Sequence, residues 1–246
     1  MISETTFAKK FTSFWNEILP NAKNYVRLVN GGRIVVLYEP FEQAERKSNI
    51  ALINTIYFNM FRLCCENELQ YNDLNKSLFY KSEFFNEILT DSLNYISKFS
   101  YGNKCELPLT NGELTQIRQL FKLICHHIPF QGNKVLIDPL FDGCGFMNRA
   151  AGDILFNNTL IELKSGERKF NLVDFRQVVI YLCLNHYSKS PKKINNIELF
   201  NPRMGISYTE SVDGFCKNIS SLNSRELFTE IQKFLTDNNF TEEFGI

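Results

Sequence analysis

Apolar side chains recur along this chain with two different periods, and the change between them divides it. Phe7, Phe11, Phe14, Trp15 and Ile18 are spaced for one face of a helix, and the pattern stops at Pro20, whose ring removes a backbone donor; one amphipathic helix is predicted. Asn30-Gly31-Gly32 lies between two apolar stretches, Val26 to Val29 and Arg33 to Leu37, which is the turn chemistry of a β-hairpin over 26–38. Helical spacing then returns over about 41–69 and 76–99, and predicts two long packed helices. Gly102 to Gly112, with Pro108 and Asn111-Gly112, reads as a loop, and it suggests a boundary between a mainly helical region, 1–105, and a second unit, 106–246.

Beyond that loop the period shortens. A helix from about 113 to 127, closed by Pro129, is followed by strand-like stretches at 135–147, 152–156 and 159–165. A helix over about 172–187, strands near 194–200 and 204–212, and an amphipathic helix through Leu227, Ile231, Phe234 and Leu235 complete the pattern. The order α, three β, α, β predicts an α+β fold, a mixed sheet flanked by helices.

Composition narrows the classes. At 246 residues and 44% hydrophobic, the chain can bury a substantial core, which excludes wholesale disorder. Lys+Arg and Asp+Glu both number 27, so attraction to nucleic acid must come from a local patch. No apolar run approaches the roughly 20 residues that cross a bilayer, and the N-terminus lacks a secretory pattern; the expectation is a cytoplasmic protein without membrane contact. Seven cysteines occur without C-x-x-C spacing, and they read as reduced, buried thiols rather than as disulfide or zinc ligands. His126 and His127 are adjacent, so on a helix they diverge and cannot grip one metal; packing or a helix-end interaction suits them better.

The informative stretch runs from Gly152 to Lys164. Asn157-Asn158 suits a two-residue hairpin turn, because Asn tolerates the positive φ of primed turns. That turn sets Phe156 opposite Thr159, Leu155 opposite Leu160, Ile154 opposite Ile161, and Asp153 opposite Glu162. Like charges in direct opposition destabilise a sheet unless something neutralises them. A divalent cation would do so, and two carboxylates with a nearby carbonyl are the hard oxygen ligands that Mg²⁺ or Mn²⁺ prefers. Lys164, two residues beyond Glu162, falls on the same strand face. Two acids and a lysine supply what phosphodiester hydrolysis needs: a metal site, a positioned water and positive charge at the developing oxyanion. Gln177 and Tyr181 follow at i, i+4 on the next helix. From Leu163 to Arg203 eight cations face three acids, and Arg168, Lys169 and Arg176 are the candidate phosphate contacts.

Asp153, Glu162-Leu163-Lys164 and Gln177-x-x-x-Tyr181 together resemble the PD-(D/E)xK nuclease superfamily, in the branch typified by the RecB nuclease domain with its Q-x-x-x-Y helix motif. The resemblance spans roughly 113–212 and implies a restriction-endonuclease-like αβββαβ core. In that family the two acids hold Mg²⁺ or Mn²⁺ with the backbone carbonyl at the position of Leu163, the lysine assists the attacking water, and Gln177 and Tyr181 would help hold substrate. Two departures stand out: Gly152 replaces the proline before the first acid, and the branch's histidine in the first core helix has no secure counterpart. Glu113 is placed to serve as the extra acid that some members carry on that helix. The expected activity is a metal-dependent nuclease, acting first on DNA, in restriction, repair or defence against invading DNA, and gated by a partner protein or a second copy of the chain. Two other readings use the same residues: a catalytically decayed module that binds nucleic acid or docks a partner, and an enzyme acting on RNA or nucleotides.

Overall fold

The computed structural model describes residues 1–41, 46–67, 71–74, 76, 78–98 and 104–238. The first apolar pattern forms two helices, α1 (Glu4–Lys9) and α2 (Thr12–Ile18), broken at Phe11, which adopts a left-handed conformation with φ 56°. The break repays itself locally. It frees the Phe7 carbonyl to accept from the buried Trp15 indole N–H at 2.8 Å, a bond that a continuous helix would replace with its own ladder.

The hairpin expected over 26–38 does not form. Val26 to Leu28 belong to helix α3 (Ala22–Leu28), and the Asn30-Gly31-Gly32 segment lies in a π-helical turn, Val29–Arg33. Tyr25 and Val29 are buried on the helix side, and this burial outweighs the local turn preference. Strand β1 (Val35–Val36) instead pairs antiparallel with Ser207 and Ile206, far along the chain.

Two long helices follow, α4 (Ile50–Asn67) and, after the short α5 (Tyr71–Leu74), α6 (Glu83–Ser97). Both are shorter than their apolar patterns; the stretches 42–45 and 68–70, and Gly102 of the expected boundary loop, lie outside the described residues. Helix α7 (Asn111–His127) begins with a capping box, in which the Thr110 side chain accepts from Glu113 N–H and Glu113 accepts in return from Thr110 N–H.

The expected strand over 135–147 is divided. Only β2 (Val135–Ile137) joins the main sheet; β3 (Leu140–Phe141) pairs with β4 (Ala150–Ala151) in a separate two-stranded ribbon. Strands β5 (Ile154–Phe156) and β6 (Thr159–Leu163) form the predicted hairpin with three of the four expected pairs, with Asn157 and Asn158 at φ 47° and 59°; the pairing ends at Ile154 and Ile161, and the expected pair of Asp153 with Glu162 lies beyond it. Helix α8 (Leu172–Tyr187), strands β7 (Asn196–Asn201) and β8 (Ile206–Ser211), and helices α9 (Val212–Ser220) and α10 (Ser224–Asp237) complete the chain. The sequence pattern did not resolve α9, whose Gly214 reads as a helix breaker; Ser211 caps it by accepting from Gly214 N–H.

The result is a six-stranded mixed sheet in the order β1-β8-β7-β6-β5-β2, parallel only between β6 and β7, with helices on both faces. Strand alternation feeds two cores. Leu160, Leu199 and Tyr208 pack with α1, α3, α8, α9 and α10, whereas Ile154, Ile161 and Phe200 pack with α4, α6 and α7. Residues on both sides of position 105 contribute to each core. Helix α8 is apolar nearly all round because it is enclosed between the sheet and α1, α3 and α10. No described helix is long and apolar enough to cross a membrane.

Candidate active site

The β5–β6 hairpin positions both acids. Beyond the last paired residues, Ile154 and Ile161, the Asp153 carboxylate takes over the ladder: Oδ2 accepts from Leu163 N–H at 2.6 Å. Gly152 explains itself here. Its N–H donates to the Pro139 carbonyl at 3.1 Å, a bond proline cannot make, and a Cβ would meet Leu160 Cδ1 at 2.9 Å. Asp138, in turn, donates its N–H to the Asp153 carbonyl at 3.0 Å.

Glu162 is buried on the α8 side of β6. Its Oε1 accepts from Lys164 Nζ at 2.7 Å, and Lys164 also donates to Gln177 Oε1 at 2.8 Å. Gln177 Nε2 continues the chain to the Tyr181 hydroxyl at 2.8 Å. Glu162, Lys164, Gln177 and Tyr181 therefore form one hydrogen-bonded ladder from the sheet to α8. The other oxygen, Glu162 Oε2, is buried and receives no hydrogen bond among the described residues, and the Asp153 carboxyl lies within hydrogen-bonding reach of Glu162.

Burial pushes the Glu162 carboxyl well above the ordinary carboxylate range, and the Asp153 charge adds to the effect. Burial likewise raises Asp153, against the Lys164 ammonium and the Leu163 N–H, which pull it down. For Lys164 burial acts downward, but the charges of Glu162 and Asp153 outweigh it and hold the ammonium above its usual value. Two adjacent buried acids that resist ionising together form a donor set that a hard cation would complete. Asp153 and Glu162 fit such a cation, and Leu163, expected to offer its carbonyl, lines the cleft beside Asp153. The pair stands without a third acid: no group of three or more His, Cys, Asp or Glu placed to hold a metal occurs among the described residues.

The remaining expected residues part company. Glu113 is committed elsewhere, with Arg46 and Asn49 on its carboxylate and Thr110 N–H on Oε2, so its lone pairs serve the start of α7 rather than a metal. Arg176 is not a surface cation. It is 5% exposed, donates to the Ala8 carbonyl at 3.2 Å and lies over the Trp15 ring. Arg168 makes a two-pronged pair with Asp174 at 2.6 and 2.9 Å and so braces the cap of α8. Lys169 is exposed and donates to the Asn30 carbonyl. Of the eight cations in this run only Arg176 and Arg203 are buried; Arg168, Lys169, Lys189 and Lys193 are exposed. His127 pairs with Glu198 at 2.6 Å and stacks on Phe200.

Sequence reasoning passed over Arg62 and Asp138. Arg62 Nη2 meets Asp138 Oδ2 at 2.7 Å, which brings a guanidinium from α4 to the residue that holds the Asp153 carbonyl. Nothing in the local sequence of α4 signals this; only Asp138, preceding Pro139 in a turn at φ 49°, carries a recognisable local constraint.

Compared with models of known families and with curated proteins, the sequence matches none.

Proposed function

We propose that this protein is a metal-dependent nuclease of the PD-(D/E)xK type, with a restriction-endonuclease-like core of the RecB branch, hydrolysing phosphodiester bonds, first of all in DNA. The observation that carries the reading is the pair of buried carboxyls Asp153 and Glu162 side by side, with Lys164 Nζ 2.7 Å from Glu162 Oε1 and no donor to Glu162 Oε2 among the described residues. The order α7, β2, β5, β6, α8, β7 around a sheet that turns parallel only at β6–β7 supports it.

Mg²⁺ or Mn²⁺ held by Asp153, Glu162 and the Leu163 carbonyl would polarise a phosphoryl oxygen and activate water. The chain's own residues do the rest. Lys164 keeps its proton, because the two carboxylates stabilise its charged form, so it acts as a donor that orients water and offsets charge developing on phosphorus-bound oxygen. Gln177 fixes the ammonium from the α8 side, and Tyr181, buried against Phe141, fixes Gln177. Asp153 is braced by the Leu163 N–H, which limits its freedom to swing from the site.

The test is cleavage of supercoiled DNA, linear duplex, single strands and RNA by purified protein in Mg²⁺, Mn²⁺ or EDTA, beside Glu162→Gln. Cation-dependent cleavage lost in Glu162→Gln is the expected result; a preparation inert on every substrate in both cations would overturn the reading. A role in restriction, repair or defence belongs to the same proposal, as does gating by a partner or a second copy.

A further inference from the structure

We infer that the open edge of the sheet at β1 is an interface between two copies of this chain, which pair β1 against β1 antiparallel about Val36 and so join their sheets into one. The inference goes beyond the nuclease reading and does not depend on it.

The segment Ile34-Val35-Val36-Leu37-Tyr38 carries no charge and no proline. Val35, Val36 and Leu37 are 57%, 68% and 41% exposed, and because successive side chains of a strand point to opposite faces, both faces of β1 are uncovered. The backbone is open as well. Leu37 N–H donates to the Gly205 carbonyl at 2.7 Å, which continues the pairing of Val35 with Ser207, so the N–H and C=O of Val36 point away from β8. An apolar edge strand with outward-facing backbone groups is a template for another strand, and proteins blunt such edges where they do not use them. The opposite edge is blunted in this way: Val135 and Ile137 pack into a core, Asp138 is held by Arg62, and Pro139 follows the strand.

Charge selects the occupant. Arg33 and Glu39 flank the apolar run, three residues on either side of Val36, and both are exposed. In an antiparallel pair centred on Val36 each Arg33 comes opposite the Glu39 of the other copy, and the two Val36 residues exchange N–H to C=O bonds, so the edge is complementary to itself. A parallel pair in register would set Arg33 against Arg33 and Glu39 against Glu39. Within its own chain Arg33 lies 3.9 Å from Glu210 Oε1, a partly exposed contact too weak to withhold it. Leu28, 53% exposed, borders the same cavity as Arg33 and adds apolar surface beside the strand.

The experiment is sedimentation equilibrium of the full chain in EDTA from about 1 to about 100 μM, where an interface below standard size is expected to give a monomer–dimer equilibrium. Val36→Lys sets two ammonium groups face to face at the dyad and should weaken dimerisation at least about tenfold, with Tm unchanged at the dilute end, where both proteins are monomers. Arg33→Glu and Glu39→Arg make the sharper test. Each alone places like charges opposite each other and should dimerise at least about tenfold more weakly, whereas an equimolar mixture of the two restores opposite charges at both ends and should dimerise about as well as wild type. Hydrogen exchange separates the occupants: the Val36 N–H should be protected only at the concentrated end, and protection in the monomer would assign the edge to another segment of the same chain and overturn the inference. A wild-type chain monomeric throughout, a dimer indifferent to Val36→Lys, or charge variants whose mixing changes nothing would overturn it too. The two readings fail separately. A monomer with cation-dependent cleavage removes the interface and leaves the nuclease; a dimer with the mixing behaviour that cleaves no substrate removes the nuclease and leaves the interface.

Discussion

Lys164 Nζ lies 2.7 Å from Glu162 Oε1, both side chains on the α8 face of β6, and the lysine is the sole hydrogen-bond donor to that carboxylate among the described residues. Truncating the lysine therefore has two consequences. Lys164→Ala is expected to lower cleavage at least about a hundredfold, as loss of a donor aimed at developing charge does. It should also destabilise the metal-free fold by about 3 kcal/mol, because a buried carboxylate loses its charged partner. In a Glu162→Gln background the same change should cost much less stability. Chemical denaturation of the four proteins in this cycle measures the coupling, and additive costs would show that the two side chains do not depend on each other.

The raised carboxylates give a sign to the pH dependence. Asp153 and Glu162 titrate higher in the folded protein than in the unfolded chain, so the folded state holds the extra protons. The contribution of this pair to the stability of the metal-free protein is then fully present below the unfolded pKa values, about 4, and is lost as pH rises through the raised folded values. A cation that needs both groups ionised acts oppositely, so the rise in Tm produced by Mn²⁺ should grow with pH across the same window. Asp153→Asn should flatten both trends and raise the Tm in EDTA, since an amide oxygen can still accept from Leu163 N–H. Melting curves of wild type and Asp153→Asn in EDTA and in Mn²⁺ from acid to neutral pH decide it; a Tm difference between the two proteins in EDTA that does not change with pH contradicts the assignment.

Where the fold and the site were legible, the controlling interactions were local. Asn157-Asn158 fixes a turn with two residues and the turn fixes the β5–β6 register over three pairs; beyond them Asp153 reaches the Leu163 N–H through its carboxylate, one residue past Glu162. The i, i+4 spacing of Gln177 and Tyr181 needed only a helix, and their 2.8 Å hydrogen bond follows from it. Elsewhere the deciding partner is remote in sequence. Gly31 and Gly32 have the composition of a hairpin turn, but Tyr25 and Val29 are claimed by a core built from α8, α9 and β8, and Val35 pairs with Ser207. Arg176 carries the charge of a phosphate contact, yet Trp15 and Ala8 cover it. Glu113 shows the same limit: Arg46 and Asn49 reach it from 67 and 64 residues earlier in the chain, and no spacing rule announces them.

That burial of Arg176 changes what its removal should do. Arg176→Ala is expected to cost about 2 kcal/mol of stability through lost packing on Trp15 and the lost bond to Ala8, and to leave the salt dependence of nucleic-acid binding unaltered. Arg168→Ala should likewise act through stability, because Asp174 loses its two-pronged partner at the start of α8. Titrations of binding against salt, set beside Tm values, separate the two effects. A shallower salt slope in either single variant would return these arginines to the binding surface.

The ladder from Lys164 through Gln177 to Tyr181 makes the finest distinction. Gln177 touches the ammonium at 2.8 Å, so its role is to position Lys164, and Gln177→Ala should reduce kcat about tenfold or more with KM nearly unchanged. Tyr181→Phe keeps the buried ring and removes only the acceptor of Gln177 Nε2, so it should cost about 1 kcal/mol of stability and lower kcat less than Gln177→Ala does. Gln177→Glu offers Lys164 an acceptor of the same shape but adds a third negative charge beside two carboxylates that already resist ionisation. It should raise the pH at which Mn²⁺ begins to stabilise the fold, a shift that a merely structural glutamine would not produce. A rise in KM with kcat intact in Gln177→Ala would instead mean that the amide holds substrate directly, and the positioning role would be withdrawn.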